Sequence, residues 1–313
     1  MNAVATPERP APADPKPEVS DRTRAEGRLG RNLVLPAIIV MLVVTAFPML
    51  RALYLSLFDY SLTDPEGRRF VGLTNYVTAL TDPLFWQTTL VTVIYMVVTV
   101  AIELVIGFVF AMVMHRVIFA RGVIRTSILI PYGIITVVSG FAWQFAFSQN
   151  NGFINQWLPG VSDTFNWFGE TVPAMVAIMV SEIWKTTPFM SLLLLAGLAQ
   201  VSEDMVEAAK VDGATWWQRL TKVILPNMRA AIMVAILFRA LDAYRIFDNI
   251  FVMTNGAVGT ESISFLTYRQ TIEQFQLGIG SALSVLLFLS VLLVAWLIVK
   301  LFRVDLASAR QEG

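Results

Sequence analysis

Residues 202–226 read SEDMVEAAKVDGATWWQRLTKVILP and form the longest polar interruption in the second half of an otherwise apolar chain. Ser202 can cap a helix, and the two acidic residues after it suit the positive end of the helix dipole. Gly213 can adopt the left-handed conformation that ends this helix. A second short helix is expected from there to about residue 222, before Pro226. The stretch predicts a compact helix-turn-helix between two apolar segments.

The composition of the chain is that of a membrane protein. Of its 313 residues, 56% are hydrophobic and 15% are charged, and the mean hydropathy is +0.64. A soluble domain is about 25% charged. The formal net charge is zero, which removes any global case for nucleic-acid binding. Because the chain has no cysteine and a single histidine, His115, we expect no disulfide, no metal site and no catalytic residue.

Six apolar runs are each long enough to cross a bilayer, which takes about 20 helical residues. We predict an all-α integral membrane protein with a membrane domain over residues 31–303. Residues 1–30 are rich in Pro, Ala, Arg and acidic residues and predict a disordered tail, and residues 304–313 form a C-terminal tail. The predicted spans are residues 32–57, 85–114, 127–147, 172–199, 228–254 and 280–302.

The distribution of Lys and Arg predicts the orientation of the spans. Sixteen of the 23 basic residues fall on one side: in the two tails, in the loop between spans two and three, and in or beside the opening stretch. Such an excess marks the cytoplasmic side. Both termini and residues 202–226 are expected in the cytoplasm. The loops of residues 59–84, 148–171 and 255–278 are expected outside.

Charged residues inside spans are costly and usually face a cavity or pair with each other. Glu103 is alone in span two, and we interpret it as structural. Glu182 and Lys185 are three residues apart in span four and can pair on one helix face. In span five, Arg239 begins a series of charges that alternate in sign every third residue.

The polar stripe of span five has two interpretations. At 100° per residue, Arg239, Asp242, Arg245 and Asn249 fall within an arc of about 120° on a helix that is otherwise apolar. The stripe either lines a translocation path for a polar solute or forms a salt-bridge ladder that locks helix packing. The candidate path residues are Trp143, Gln144, Glu182, Lys185, Arg239, Asp242, Tyr244, Arg245, Asp248 and Asn249.

The chain lacks a phosphate-binding loop, since none of its glycines stands in a GxxxxGK context. It is therefore not expected to bind and hydrolyse ATP in the usual way. If transport is uphill, either an ion gradient or a partner subunit must supply the energy.

Residues 202–226 resemble the EAA loop of the permease subunits of binding-protein-dependent ABC importers. That loop has the pattern E-A-A-x-x-D-G-A, followed at a fixed spacing by proline. It lies in the cytoplasm before the penultimate span, where the orientation above places residues 202–226. The matching residues are Glu207, Ala208, Ala209, Asp212, Gly213, Ala214 and Pro226.

Other segments resemble the sugar-importing branch of the same family, which includes maltose permeases and trehalose importers. The likeness covers residues 31–303. The matching segments are LSLFD at 55–59, VGLTNY at 71–76, IPY at 130–132, WK at 184–185 and LGIGSA at 277–282.

The resemblance implies a type I ABC importer permease fold in a bacterial inner membrane, with a cytoplasmic coupling helix. It implies a heterodimer with a second, homologous permease, two ATPase subunits that bind ATP and Mg, and an extracytoplasmic sugar-binding protein or lipoprotein. No cofactor is expected in this chain. The implied substrate is a sugar, for example a disaccharide such as trehalose. A neutral sugar is favoured because the acidic neighbours of Arg239 and Arg245 offset their charge.

The resemblance also implies a division of labour within the loop. Glu207 to Gly213 would dock on the ATPase, and the residues up to Pro226 would carry the motion into span five. The alternative function is an ion-coupled secondary transporter or channel that acts without an ATPase. A membrane-embedded enzyme is a third alternative, but only Ser181 and Lys185 suggest a dyad, and nothing else converges on them.

Overall fold

The computed structural model describes residues 21–117, 120–162 and 164–302, with the backbone alone for residues 21–28 and 65. Four described helices are long and apolar enough to cross a bilayer, and two bent helix pairs bring the number of spans up to six. The described residues fall into two compact units that divide between Arg51 and Ala52. Most of the predicted N-terminal tail and all of the C-terminal tail lie outside the described residues.

The first span begins earlier than predicted. A helix runs over Asp21–Met41 and continues through a π-helical turn, Leu42–Ala46, into Phe47–Leu55. Residues 21–30 are therefore helical in the structure, where the sequence predicts a disordered tail. The apolar side chains of Leu29–Leu55 are exposed, as in a helix that faces lipid or another subunit.

A β-hairpin follows the first span, where the sequence predicts only an outer loop. Its strands, Phe58–Ser61 and Asp64–Phe70, pair antiparallel. The Arg68 guanidinium stacks on three aromatic rings, and its carbon lies 4.3 Å from the Phe58 ring centroid. The side-chain amide of Asn75 donates to the carbonyls of residues 56 and 58, at 2.9 Å each. The all-α prediction holds for the spans but missed this hairpin.

Spans two and four form the centre of the second unit. They are the helices Pro83–Arg116 and Thr171–Leu198, and they pack against each other more extensively than any other described pair. A side chain at Gly107 would reach to within 2.9 Å of the Met190 side chain. The glycine therefore allows the two backbones to approach closely.

Spans three and five are broken rather than continuous. Span three consists of Arg121–Gly133 and Thr136–Ala146, bent by 89°. Span five consists of Arg229–Ala243 and Asp248–Met253, with a non-helical link between them. Non-helical backbone at membrane depth is tolerated where it is buried in protein or lines a cavity.

The remaining described elements are short, apart from the last span. The helices Thr74–Thr81 and Pro83–Arg116 meet at Asp82, which caps the second by accepting from Leu84 N at 2.9 Å. The other elements are Ile154–Trp157, Ala257–Gly259, Ile263–Tyr268, Arg269–Glu273 and the last span, Leu277–Phe302.

Candidate functional site

The helix-turn-helix region, residues 203–227, has the predicted first helix and turn. The first helix is Glu203–Val211, with Ser202 at the N-cap position, although the Ser202 side chain makes no capping hydrogen bond. Gly213 has φ +78° and ends the helix in the left-handed conformation. Nothing lies within 4 Å of where its side chain would be, so the backbone conformation and not packing requires glycine.

The second arm of this region differs from its prediction. Thr215 and Gln218 form a capping box at the start of Trp216–Arg219. The helix then continues through a π-helical turn, Leu220–Ile224, and past Pro226. The expected helix end before the proline is wrong because Pro226 lies in the first turn after the π-helical turn, where its missing N–H costs little. A 70° bend follows before Arg229.

The helix-turn-helix region exposes apolar and charged side chains together. Val211 is 87% exposed, Trp217 64% and Met205 43%. Glu207 is exposed and also lines a cavity of about 380 Å³ with Arg116 and other residues at the end of span two. An exposed apolar group beside charges is typical of a surface that contacts another protein.

A buried charge cluster joins spans two, four and five. Its centre is Arg239, which is fully buried and binds Glu103 in a bidentate manner, with Nε–Oε2 at 2.5 Å and Nη2–Oε1 at 2.9 Å. Nη1 of Arg239 donates to Asp242 Oδ2 at 2.5 Å, and Nη2 lies 3.3 Å from Glu182 Oε1. Glu103 is therefore paired with Arg239 of span five. From the sequence of span two alone it seemed isolated.

Two neutral side chains complete the buried charge cluster. The Thr186 hydroxyl donates to Glu103 Oε1 at 2.8 Å, and Asn249 Nδ2 donates to Glu182 Oε2 at 2.6 Å. Both oxygens of each buried carboxylate thus accept a hydrogen bond. Buried charges are tolerated when they are paired and hydrogen-bonded in this way.

A cavity of about 400 Å³ adjoins the buried charge cluster. Its volume lies in the range of about 300–1,000 Å³ that is usual for small-ligand sites. The walls come from spans three, four and five, including the non-helical link of span five. The lining residues are Tyr132, Thr136, Glu182, Lys185, Thr186, Asp242, Ile246, Phe247, Asp248 and Asn249.

Lys185 is the cation of this cavity. It is 8% exposed, and its Nζ lies 5.6 Å from the centroid of the Tyr132 ring. Within the part of the chain that the structure describes, it makes no ion pair and no hydrogen bond. The predicted Glu182–Lys185 pair is wrong, because the Glu182 carboxylate points to Arg239 and Asn249 while the Lys185 ammonium lies over the Tyr132 ring.

The structure brings five of the ten candidate path residues to the cavity and buries Arg239 beside it. Arg245 is exposed, and its Nε donates to the carbonyl of residue 241. Tyr244 is buried in an apolar cluster. The helix stops at Ala243, so the spacing of 100° per residue assumed for the stripe does not extend to Arg245. The place of Tyr244 and Arg245 in a translocation path stays a prediction.

Trp143 and Gln144 also lie outside the cavity. Trp143 packs against the ring of Trp184, with centroids 5.8 Å apart. Gln144 Nε2 donates to the carbonyl of Val252 at 3.0 Å. Both residues therefore tie span three to its neighbours, and their place in a translocation path stays a prediction.

Sequence reasoning missed five residues of the cavity wall. The break in span three carries the signal for Tyr132 and Thr136, since Pro131 and Gly133 weaken the helix there. Ile246 and Phe247 are apolar themselves, and Thr186 carries no charge, so none of the three stood out beside its charged neighbours. The missed residues are Tyr132, Thr136, Thr186, Ile246 and Phe247.

One further ion pair lies in the segment between the fifth span and the last span. Glu261 is 6% exposed, and its Oε2 lies 3.0 Å from Arg269 Nη1. Burial raises the pKa of the Glu261 carboxyl above its usual range, and the nearby Arg269 opposes that rise. This pair is separate from the cavity and bears on the stability of the segment between the fifth span and the last span.

Residues 103–303 match the family described as the binding-protein-dependent transport system inner membrane component. The chain belongs to this family and is a multi-pass permease subunit of an ABC importer. The resemblance stated from the sequence is confirmed, as is the prediction of a transport subunit rather than an enzyme.

Two relatives and one solved structure place the chain more closely. It is 48% identical to the trehalose transport system permease protein SugA of Mycobacterium tuberculosis, over 92% of this chain and 93% of the relative. It is 39% identical to the trehalose/maltose transport system permease protein MalF of Thermococcus litoralis, over 90% and 96%. A bacterial ABC transporter that imports the acidic polysaccharide alginate matches with a TM-score of 0.75 at 20% identity, over 90% of this chain and 97% of that chain. The predicted importer-permease fold is confirmed.

Proposed function

We propose that this chain is one of two homologous permeases in an ATP-driven importer of a neutral disaccharide such as trehalose. The observation that carries the proposal is the cavity beside the buried charge cluster, in a chain whose similar relatives carry trehalose and maltose in their names. The cavity forms the substrate site of this half of the translocation path.

The chemistry of the cavity walls suits a sugar. Tyr132 and Phe247 place aromatic rings in the cavity wall, which gives the apolar face of a pyranose ring a surface to pack against. Asp242 and Asp248 offer carboxylate oxygens that accept hydrogen bonds from hydroxyl groups, and Lys185 offers an ammonium donor. A ligand with many hydroxyl groups can satisfy both kinds of partner at once.

The helix-turn-helix region is the proposed coupling site for the ATPase. Glu207 meets polar or basic groups of the ATPase, and Ala208 and Ala209 allow close approach. The turn of Asp212, Gly213 and Ala214 keeps the first helix rigid. Pro226 and the bend after it carry the motion into span five, which lines the cavity.

The proposed assembly contains a second permease, two ATPase subunits that bind ATP and Mg, and an extracytoplasmic sugar-binding protein. The cofactors thus lie in the partners and not in this chain. Both termini and the helix-turn-helix region face the cytoplasm, because that side carries most of the Lys and Arg residues.

Uptake by reconstituted vesicles tests this proposal. The full complex, with its binding protein, is placed in proteoliposomes, and entry of radiolabelled trehalose is measured with and without ATP. We expect uptake that requires ATP, the ATPase and the binding protein. Uptake by this chain without the ATPase, driven by an ion gradient, would establish the secondary-transporter alternative instead.

A further inference from the structure

Charge is distributed unevenly around the cavity. Asp242 and Asp248 are exposed carboxylates in its wall, and Lys185 is the cation that faces them. The side chain of Asp242 is 61% exposed although it also binds Arg239. The accessible wall thus presents two carboxylates against one ammonium group.

The buried charge cluster adds no free positive charge to offset the two carboxylates of the cavity wall. Arg239 is its cation and is shared among Glu103, Glu182 and Asp242. All of its donor groups with a partner point to these carboxylates. The guanidinium is therefore occupied and cannot bind an anionic ligand without breaking a buried pair, which is costly.

Lys185 cannot serve as an anion site by itself. A ligand anion at its ammonium group would lie in a cavity whose wall also carries Asp242 and Asp248. Like charges repel, so the two carboxylates oppose an anion held at the ammonium group. Lys185 is placed to donate to a neutral oxygen, while the two aspartates accept from hydroxyl groups.

We infer that Asp242 and Asp248 form an electrostatic filter that excludes anionic sugars, such as sugar phosphates and uronates, from this cavity. The inference rests on the proposed function, because it assigns a selection rule to the same site. The fold does not impose such a rule, since the similar alginate importer carries an acidic polysaccharide. The rule is set by side chains of the cavity wall.

Neutral isosteres allow the filter to be removed without loss of volume. Asp242→Asn keeps a group that can accept from Arg239, and Asp248 makes no ion pair or hydrogen bond with the described residues. A matched control removes two exposed acids from outside the cavity, Asp59→Asn with Glu170→Gln. Both double variants change the net charge of the chain by the same amount.

Equilibrium binding to the assembled complex in nanodiscs tests the filter. Trehalose and trehalose 6-phosphate are titrated without the binding protein, so that its own selectivity does not contribute. We expect the affinity for the phosphate ester relative to trehalose to rise about tenfold in Asp242→Asn/Asp248→Asn. The control should keep the wild-type ratio. Lys185→Met should shift the ratio further toward trehalose.

The possible results distinguish failure of the electrostatic filter from failure of the proposed function. An unchanged ratio in the double aspartate variant, with trehalose still bound, overturns the filter and leaves the proposed function standing. An equal rise of the ratio in the control also overturns it, because the effect would then arise from overall charge. If the wild-type complex imports and binds no trehalose, the proposed substrate fails and the filter fails with it.

Discussion

The buried charge cluster and the helix-turn-helix region differ in whether their charged side chains are paired within the chain. In the cluster, Arg239 is fully buried and both oxygens of Glu103 and Glu182 accept hydrogen bonds from within the chain. In the helix-turn-helix region, Glu207 makes no ion pair with any residue that the structure describes, and Val211 is 87% exposed. One region is completed internally and the other presents its groups outward.

This difference indicates that the cluster stabilises the fold and that the helix-turn-helix region is available to contact a partner. A buried, fully paired cluster holds spans two, four and five together, and removing one partner leaves an uncompensated charge. An exposed helix with apolar and charged groups contributes little to the fold of its own chain and is available to a partner. Substitutions in the two regions should therefore fail in different ways.

The largest effect is expected for Arg239→Met. The substitution leaves Glu103 and Glu182 buried without their cation, which costs about 3–5 kcal/mol when one partner of a buried pair is removed. We expect a large loss of folded, assembled complex, measured by size-exclusion chromatography in detergent and by thermal unfolding.

Two further variants separate lost pairing from lost packing at this position. The triple variant Arg239→Met/Glu103→Gln/Glu182→Gln should recover most of the assembled complex, because neither buried carboxylate remains charged. Arg245→Met, on the same span but exposed, should be near wild type. Normal stability of Arg239→Met would show that the cluster does not hold the spans together.

The next largest effect is expected for Gly213→Pro. Gly213 has φ +78°, whereas proline requires about −65°, so that the turn cannot keep its conformation. We expect uptake to be lost while insertion of the chain in the membrane is retained, as measured by transport and by membrane fractionation. Gly160→Pro is the control, because Gly160 has φ +83° and equally open surroundings, in the segment between spans three and four. Equal loss of uptake in both variants would contradict a special role for the turn at Gly213.

A smaller effect is expected at the cavity wall. Asp242→Ala removes a partner of Arg239 and an acceptor in the wall, so uptake should fall several-fold without loss of the ATPase from the complex. Arg245→Ala should reduce uptake less, because Arg245 lies outside the cavity. Uptake and co-purification of the ATPase are measured on the same preparations. Release of the ATPase by Asp242→Ala would favour a purely structural cluster.

The smallest effect concerns Glu261, which is buried with one cation and is thus intermediate between the two regions. Burial raises its pKa, so the folded state binds a proton more tightly than the unfolded state. The penalty for its charge is present above the folded-state pKa and disappears as the pH falls below the unfolded value of about 4.5. Relative to Glu261→Gln, wild type should gain protection of the segment between spans five and six from hydrogen exchange as the pH falls from 7 toward 5. A constant difference would show that Arg269 offsets the burial completely.

Local patterns in the sequence were sufficient for the membrane class and for the first helix and turn of the helix-turn-helix region. The apolar runs predict spans because a helix needs about 20 such residues, and Gly213 predicts a turn through its backbone freedom. These inferences depend on residues close together in the chain. They hold regardless of how the spans pack.

The partners within the cavity and cluster could not be read in the same way. Glu103 and Arg239 meet across 136 positions of sequence, and no periodicity within span two indicates the contact. The stripe in span five assumed a continuous helix, but the chain unwinds after Ala243. The β-hairpin after the first span was missed because its strands carry charged residues and no clear alternation of apolar residues.

The helix-turn-helix region is proposed to couple ATP hydrolysis in the partner subunits to movement of the spans that line the cavity. Glu207→Lys tests it most directly, because Glu207 is exposed and unpaired among the described residues, while the cavity lies elsewhere. Trehalose binding and ATP-driven uptake are measured on the same reconstituted complex. The account predicts wild-type binding together with loss of uptake and of ATPase stimulation by the binding protein. Wild-type uptake and stimulation by Glu207→Lys would contradict it.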